Sequence, residues 1–444
     1  MAKCGRVAPL LVVAFLVIGV PGTWSVAVPQ GQVIRAVTGG WAPVGSMLTG
    51  RAEHTATRLL DGRVLVAGGT NGQNHGLAST ELFDPKTIRW SDGPPMSTTR
   101  VDHTATLLED GRVLVAGGFD QLDQAERSLA SAEIFDPKSN SWMPAASMLE
   151  ARGRHTATLL ASGTVLVVGG FTAAPLGRTG GFANVAEVYD PATNRWSPTG
   201  PLGTGGRQGH TATRLLDGRV LVAGGEGGLG GNPSVEIYHP STNGWTFGSF
   251  LLAPHVGHTA TLLPSGEVLL VGGAGSISLT LREPQALATA ELYEPSSDRW
   301  ILLAPMHSTR DHHTATLLPS GRLLVVGGAF TSTPLAELFD LARNAWVEVN
   351  GQALNRYAHT ATLLADGRVL ITGGYNAPSM ASTWIYDPAG RALSVGGTSP
   401  SPVALAALLA GVALVLALAF FGPRMRVRLP RWPSPSAADE WIDP

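Results

Sequence analysis

The chain has almost no cysteine and little charge, and both shortages exclude classes of protein. Cys4 is the single cysteine among 444 residues, so no disulfide can form within one chain. Charged residues make up only 14% of the chain and the formal net charge is −2. No basic field therefore points to nucleic acid as a partner.

The first residues have the pattern of an export signal. Lys3 and Arg6 precede the apolar run "APLLVVAFLVIGV", and the small residues of "SVA" follow at 25–27. This pattern predicts a signal peptide over residues 1–27 and a linker over 28–40. The alternative is an uncleaved anchor helix, although the apolar run is shorter than the ~20 residues that a span needs. Cleavage would leave a mature protein without cysteine.

A second apolar segment lies near the end of the chain. Residues 402–422, "PVALAALLAGVALVLALAFFG", contain no charged residue, and four arginines follow within nine positions. Their length and the flanking positive charge predict a transmembrane helix whose C-terminal side is cytoplasmic. The alternative is a buried core helix. The prediction is a single-pass protein of the cell membrane, with a linker at 396–401, a cytoplasmic tail at 423–444 and the remainder outside. The lack of a usable N-glycosylation triplet favours a bacterial envelope.

Between these ends, one pattern occurs seven times at intervals of 46 to 55 residues. Each copy reads "HTAT" with apolar residues, a short turn, an apolar run ending in Gly-Gly, a variable loop, "AELFDP" and then a strand. The second segment, such as "RVLVAGG", is apolar throughout, as in a strand buried on both faces. The histidines are His54, His103, His155, His210, His258, His313 and His359.

Turn residues and aromatic residues also keep fixed places in the repeat. Asp-Gly or Ser-Gly separates the first two strands, which predicts a two-residue type I′ hairpin turn. An aromatic residue in the third strand is followed seven positions later by tryptophan, which predicts a hairpin with packed rings. The glycine pairs are Gly68 and Gly69, Gly117 and Gly118, Gly169 and Gly170, Gly224 and Gly225, Gly272 and Gly273, Gly327 and Gly328, and Gly373 and Gly374. The tryptophans are Trp90, Trp142, Trp196, Trp245, Trp300 and Trp346, with Trp41 in an equivalent N-terminal setting.

The Gly-Gly pair, the aromatic residue and the downstream tryptophan resemble kelch repeats. The resemblance covers Trp41 to Pro388 and implies an all-β fold, a seven-bladed kelch-type β-propeller over residues 41–395, like the central domain of galactose oxidase. The seventh repeat has Leu393 where tryptophan is expected, whereas Trp41 followed by Met47 matches Trp90 followed by Met96. We therefore expect the N-terminal segment to supply the outer strand of the last blade.

Seven equivalent histidines form a ring rather than converge on one point, so we expect them to be structural and to bond backbone groups. Two further sets recur at matched positions, and we expect them to form charge pairs within a blade or between neighbours. The arginines are Arg51, Arg100, Arg152, Arg207, Arg310 and Arg356. The glutamates are Glu81, Glu133, Glu187, Glu236, Glu291 and Glu337.

A few residues break the repeat and are the candidates for a ligand site. His255 replaces an arginine, Trp384 replaces a glutamate, and Asp120, Asp123 and Glu126 make one loop acidic. That loop suits a cation or a basic partner, and a solvated loop is the alternative. A metal site among His255, His258, His312 and His313 is a further alternative, set against ordinary variation in loops. No catalytic residue, cofactor or metal is predicted.

In a propeller of this kind we expect the variable loops to lie at one end, the top face, where constant strands would present them to a ligand. The sequence thus predicts a monomeric, non-enzymatic scaffold at the cell surface that binds a protein or a glycan and not nucleic acid. The alternative is an extracytoplasmic carbohydrate-active enzyme, similar to kelch-type sialate mutarotases, with its site at the central opening. A deep opening with unmatched polar residues would favour that enzyme. The resemblance to galactose oxidase implies no copper chemistry, because the tyrosine–cysteine cofactor needs a cysteine.

Overall fold

The computed structural model describes residues 39–72, 75–122, 125–173, 180–227, 230–277, 284–329, 336–349, 355–375 and 380–391. The predicted signal peptide, C-terminal linker, membrane helix and tail lie outside these residues, as does nearly all of the 28–40 linker. Within the described ranges, no helix is both long enough and apolar enough to cross a membrane. The domain boundaries at both ends therefore stay predictions.

The described residues form seven four-stranded antiparallel sheets, which we number as blades 1 to 7. Each blade has an inner, a second, a third and an outer strand in this order. The strands of the blades are Thr55–Arg58, Val64–Ala67, Thr80–Asp84 and Arg89–Gly93 (blade 1); Thr104–Leu107, Val113–Ala116, Ala132–Asp136 and Ser141–Ala145 (blade 2); Thr156–Leu159, Val165–Val168, Val185–Asp190 and Arg195–Pro201 (blade 3); Thr211–Arg214, Val220–Ala223, Val235–His239 and Gly244–Gly248 (blade 4); Thr259–Leu262, Val268–Val271, Ala290–Glu294 and Arg299–Leu302 (blade 5); Thr314–Leu317, Leu323–Val326, Ala336–Asp340 and Ala345–Val349 (blade 6); and Thr360–Leu363, Val369–Thr372, Thr383–Asp387 and Gly40–Val44 (blade 7).

Four of the loops between second and third strands contain a short hairpin of their own. These hairpins pair Phe119–Leu122 with Ala125–Ser128, Phe171–Thr172 with Gly181–Phe182, Glu226–Gly227 with Gly230–Gly231, and Ala274–Ile277 with Pro284–Ala286. One 3-10 helix, Leu341–Arg343, fills a turn of blade 6.

The inner strands contact one another in a closed ring, each touching the inner strand of the blade before it and of the blade after it. Seven radial sheets around one axis make a seven-bladed β-propeller, and the predicted all-β fold is confirmed. The inner strands begin, and the second strands end, at the same face. We call this face the top.

The ring closes by combining the two ends of the repeat region in one sheet. Gly40–Val44 pairs antiparallel with Thr383–Asp387, and Trp41 lies opposite Tyr386. Their ring centroids are 4.8 Å apart, within the range of the other blades. The expectation that the N-terminal segment supplies the outer strand of blade 7 is confirmed, and closure leaves no inner edge exposed.

The hydrophobic core lies between adjacent blades. All four residues of Val64–Ala67 are buried, because one face of this second strand packs on the preceding blade and the other on the following one. Leu65 of blade 1, for example, shares a cluster with Val113 and Phe135 of blade 2. The continuous apolar run of each second strand therefore reflects burial on both faces.

The paired aromatic residues predicted from the repeat are in contact in every blade. The centroid distances between the third-strand ring and the tryptophan range from 4.7 to 5.2 Å in blades 1 to 6. Several indole N–H groups also donate to the blade before. Trp142 bonds the carbonyl oxygen of Pro94 at 2.8 Å, and Trp196 bonds that of Ala146 at 2.8 Å. The tryptophans thus link neighbouring blades as well as neighbouring strands.

The predicted turn type is wrong. Gly62 has a φ of 92°, whereas Asp61 has no positive φ, and a type I′ turn needs positive φ at both central residues. The N–H of Gly62 donates to Leu59 O at 3.1 Å, and Leu59 N donates to Arg63 O at 2.8 Å. This is a three-residue loop in which a turn is followed by a left-handed glycine that forms a bulge. The Asp61 carboxylate accepts from Arg63 N at 2.9 Å, so aspartate serves the turn through its side chain.

Candidate functional site

The seven repeat histidines fasten each inner strand to the next. The Nε2 atom of each imidazole lies 2.9–3.0 Å from the hydroxyl of the first HTAT threonine of the preceding blade. His103 thus bonds Thr55, and His54 bonds Thr360 across the closure. The partner of Nε2 is a threonine hydroxyl, and not the backbone groups that the sequence suggested. The Nε2 contacts therefore run around the ring from each blade to the one before it.

Burial keeps these histidines neutral. Their exposed fraction is 5–6%, and burial, followed by the charge of Arg100, lowers the pKa of His103 to about 3. The same cause places the pKa of His210 and His359 at about 3. The histidines are therefore neutral near pH 7 and cannot act as imidazolium acids.

The predicted arginine–glutamate pairs exist, and each lies within its own blade. The shortest N–O distances are 2.7 Å for Arg51–Glu81, 3.0 Å for Arg100–Glu133, 2.8 Å for Arg152–Glu187, 2.8 Å for Arg207–Glu236 and 2.6 Å for Arg310–Glu337. These arginines are fully buried, and burial lowers their pKa against the opposing charge of the glutamate. The hypothesis is confirmed for five blades.

Blades 5 and 7 depart from the pairing. His255 Nδ1 lies 2.6 Å from Gly272 O and Nε2 lies 3.0 Å from Glu291 Oε1. Both partners are acceptors, so the imidazole replaces the two donors of arginine, and the expected arginine partner of Glu291 was wrong. In blade 7, Arg356 donates to Gly373 O at 2.9 Å and to the Ser382 hydroxyl at 3.0 Å.

Each pair also holds the segment by which the chain enters the blade. The Glu81 carboxylate accepts from Leu48 N at 2.7 Å and from Thr49 N at 2.9 Å. Arg51 donates to Gly68 O at 2.8 Å. One buried pair therefore joins the entry segment, the Gly-Gly corner and the third strand. A Cβ atom on Gly68 would lie 2.6 Å from Arg100 O of the next blade, so only glycine fits this corner.

The residues that break the repeat are placed as follows. His255 is fully buried, and Trp384 lies opposite Ile371 in the blade 7 sheet, at the register of the missing glutamate. Asp120 is 8% exposed and accepts a hydrogen bond from the Thr99 hydroxyl. The acidic loop, for which a solvated loop was the alternative, is a hairpin in which Asp120 is buried. Glu126 lies on the second strand of this hairpin, and Asp123 falls outside the described residues.

The histidines considered as metal ligands are not assembled into a site. Across the ranges that the structure describes, no group of three or more His, Cys, Asp or Glu side chains is placed to hold a metal ion. His258 and His313 bond threonine hydroxyls at 2.9 and 3.0 Å. His312 is more than half exposed and lies 3.2 Å from the Asp311 carboxylate.

A second ring, which the sequence did not reveal, surrounds the central opening at the top. We call the seven residues that directly precede the HTAT histidines the collar: Glu53, Asp102, Arg154, Gly209, Gly257, His312 and Ala358. All seven have φ between 49° and 66°, a conformation that non-glycine residues seldom adopt. Six of the collar residues donate their backbone N–H to the carbonyl oxygen of the collar residue in the preceding blade, at 2.8–3.3 Å.

The collar has sevenfold backbone geometry but unlike side chains. Its residues and the histidines below them line a cavity of about 610 Å³. Arg154 Nε bonds Asp102 at 2.8 Å, Gln208 Nε2 bonds Glu226 at 2.5 Å, and hydrogen bonding to Asp311 raises the pKa of His312. Blades 4 and 5 present glycine at the collar. The backbone around the opening therefore repeats from blade to blade, whereas the side chains that it presents do not.

Repeat analysis missed the collar because its residue type varies at every copy. A signal was nevertheless present: Gly209 and Gly257 occupy two of the seven positions, and glycine at a matched position indicates positive φ. The other five positions adopt the same φ at a cost of ~1–2 kcal/mol each in an L-residue. Strained residues that persist in this way cluster at functional sites.

Comparison with known proteins finds similarity to kelch-repeat proteins. Residues 38–225 match the model of the KLHDC2/KLHL20/DRC7 Kelch-repeats domain. Human Kelch-like protein 23 is 29% identical over 257 residues, which are 57% of this chain and 42% of that protein. Human Kelch-like protein 15 is 26% identical over 217 residues, 45% of this chain and 34% of that protein. The matches thus span less than half the length of these curated relatives.

Two solved structures have the same fold. A fungal alcohol oxidase of the AA5 family in complex with copper is 21% identical with a TM-score of 0.62, and the likeness covers 79% of this chain and 76% of that one. YjhT is 15% identical with a TM-score of 0.54, over 69% of this chain and 99% of that one. At these identities the likeness shows the fold alone.

The repeat region is thus a seven-bladed β-propeller that is similar in sequence to kelch-repeat proteins. The curated relatives are mammalian proteins, so the bacterial source expected from the sequence stays a prediction.

Proposed function

We propose that this chain is a protein-binding scaffold whose top face, centred on the collar, holds the partner. One observation supports it above all: blades of the same architecture present differing residues at the collar positions, around a cavity of about 610 Å³. A constant scaffold with variable residues at one face is the arrangement of a recognition surface. The kelch-repeat relatives agree with a binding role.

Exposed leucines at the two ends of the propeller allow a matched test. Leu149, in the top segment entering blade 3, is 61% exposed, and Leu216, in a bottom turn, is 68% exposed. A photo-crosslinking amino acid at each position in the full chain, irradiated in cells, should yield a discrete adduct only from Leu149. Adducts from Leu216 alone would place binding at the other face, and no adduct from either would remove the proposal. A glycan array probed with the same full chain tests whether the ligand is instead a glycan.

A carbohydrate-active enzyme is the second candidate. It is favoured by the polar side chains that differ from blade to blade around one cavity, namely Glu53, Asp102, Arg154 and His312. Acids and bases in different environments are the components of proton-transfer chemistry. Proton NMR of anomer exchange in free sialic acid and in neutral reducing sugars tests it. A rate equal to that in buffer would remove this candidate.

We also propose attachment to the cell membrane through residues 402–422, with the propeller on the outer side. The support is the apolar composition of this segment and the arginines that follow it. Alkaline carbonate extraction of membranes should leave the full chain in the pellet and release a chain truncated after residue 395.

A further inference from the structure

The charges around the collar cavity do not balance. The carboxylates of Glu53, Asp102 and Glu226 line it, against the single guanidinium of Arg154. The seven histidines of the wall add no positive charge, because burial holds their pKa well below neutrality. His312 lies beside Asp311, which offsets any proton that it binds. The side chains that line the cavity therefore carry a surplus of negative charge.

An aromatic pair stands beside Glu53, outside the set of residues that line the cavity. The rings of Tyr357 and Tyr375 have centroids 5.1 Å apart with an interplanar angle of 34°. Both rings are half-buried next to the collar, and Tyr375 hydrogen-bonds Glu53. Ring faces next to a carboxylate attract ammonium and guanidinium groups, which the negative π face and the charge both favour.

On the opposite side of the opening, one buried acceptor lacks a donor. The amide nitrogen of Gln208 bonds Glu226, while its amide oxygen is buried and has no hydrogen-bond partner among the residues that the structure describes. A buried acceptor in this state costs free energy, which a ligand with an N–H group would recover. It gives an independent reason to expect a donor in the cavity.

We infer that the collar cavity takes a positively charged side chain, a lysine or an arginine that a partner protein inserts from the top. This rests on the proposed binding function and specifies the chemistry of its central contact. The volume fits a long side chain with its flanking backbone, since ligand pockets range from about 300 to 1,000 Å³. An anion would meet repulsion from the carboxylates, and the described residues offer no metal-binding group.

Four pools of fluorescent decapeptides test this inference, each random except for a central lysine, arginine, glutamate or leucine. Fluorescence polarisation with the full chain should show binding of the lysine and arginine pools at least about tenfold tighter than of the other two. Raising the salt concentration should weaken it, because ions screen charge pairs. Equal binding of the leucine or glutamate pool would overturn the inference.

Matched variants locate the contact. Glu53→Gln keeps the shape of the side chain and should weaken binding of the basic pools about tenfold, since a hydrogen bond to a charged group is lost. Glu348→Gln removes the same charge from an exposed position on the outer strand of blade 6 and should leave binding unchanged. Melting temperatures of both variants confirm that they fold. An unaltered affinity of folded Glu53→Gln would overturn the inference.

Two further outcomes separate the sources of failure. If agmatine, a free guanidinium compound, binds as tightly as the arginine pool, the ligand is a small cation and the assignment to a partner protein is wrong. If no pool binds while the crosslinker at Leu149 still captures a partner, the cationic contact fails and the binding function stands. If neither occurs, the binding function itself fails.

Discussion

At the scale of single residues, the buried charge pairs are the contacts that the fold can least lose. The side chains of Arg152 and Glu187 are both fully buried, 2.8 Å apart, and Arg152 also donates to Gly169 O at 3.0 Å. Each charge of the pair is therefore compensated by the other. If one were removed, the remaining charge would be buried without water to solvate it. Substitution of one member should be far more costly than loss of an exposed ion pair.

The first prediction compares two arginines. Arg152→Met leaves the Glu187 carboxylate buried and uncompensated, and should lower the free energy of unfolding by about 3–5 kcal/mol. Arg219→Met breaks a pair whose side chains are 30% and 49% exposed, and should cost less than about 1 kcal/mol. Urea denaturation followed by tryptophan fluorescence measures both. Similar losses in the two variants would contradict a stabilising role of the buried pair.

The second prediction concerns pH. The pKa of His103 falls from 6.5 to about 3 on folding, so between these values the unfolded chain binds the proton and the folded chain does not. Stability is therefore present above pH 6.5 and is lost as pH falls toward 3, by about 1.4 kcal/mol per pH unit and proton. His103→Gln should reduce the slope of unfolding free energy against pH, from 6 to 5, by about one proton. An unchanged slope would mean that this histidine takes up its proton in the folded state.

At the scale of elements, the sequence predicts the strands better than the turns between them. Strands follow from features that recur with one chemistry, such as the buried run at Val64–Ala67 and the seven-residue spacing from Phe83 to Trp90. The turn type was wrong because Asp-Gly suits two hairpin geometries. The hydrogen bond from Leu59 N to Arg63 O decides between them, and it depends on the register of strands rather than on the two turn residues.

The third prediction concerns the equivalent turn of blade 4, in which Leu215 N donates to Arg219 O. Gly218 has a φ of 88° with open space around it, so Gly218→Ala introduces backbone strain alone and should cost about 1–2 kcal/mol. Gly181 also has open space but no positive φ, and Gly181→Ala should change stability by less than about 1 kcal/mol, toward a more stable protein. Thermal unfolding of the two variants measures the difference. An equal effect at both positions would show that the left-handed conformation of Gly218 is not the constraint.

At the scale of the whole molecule, the sequence repeat predicts the propeller but does not identify the collar. Seven copies and the Trp41–Met47 match were enough to predict blade number and closure. The collar was not predictable in the same way, since Glu53, Asp102 and Arg154 share a backbone conformation and no chemistry. Repeats reveal what each blade needs for packing, whereas recognition depends on the positions where the blades differ.

The last prediction concerns closure of the ring. Gly40–Val44 pairs over five residues with Thr383–Asp387, and Met47 N donates to Ala381 O at 2.9 Å. Deleting residues 28–48 from the full chain would leave the third strand of blade 7 as an edge and would remove the contact of Trp41 with Tyr386. Glu81 would also lose the hydrogen bond from Leu48 N. Because these losses fall at the one seam where the ends of the ring meet, they should open the contact between blades 7 and 1.

The melting temperature of the deletion variant should fall by more than that of either Arg152→Met or Gly218→Ala. Hydrogen exchange should become faster first in blades 1 and 7. A deletion that melts like the intact chain would show that the seven inner strands hold the ring without this strand.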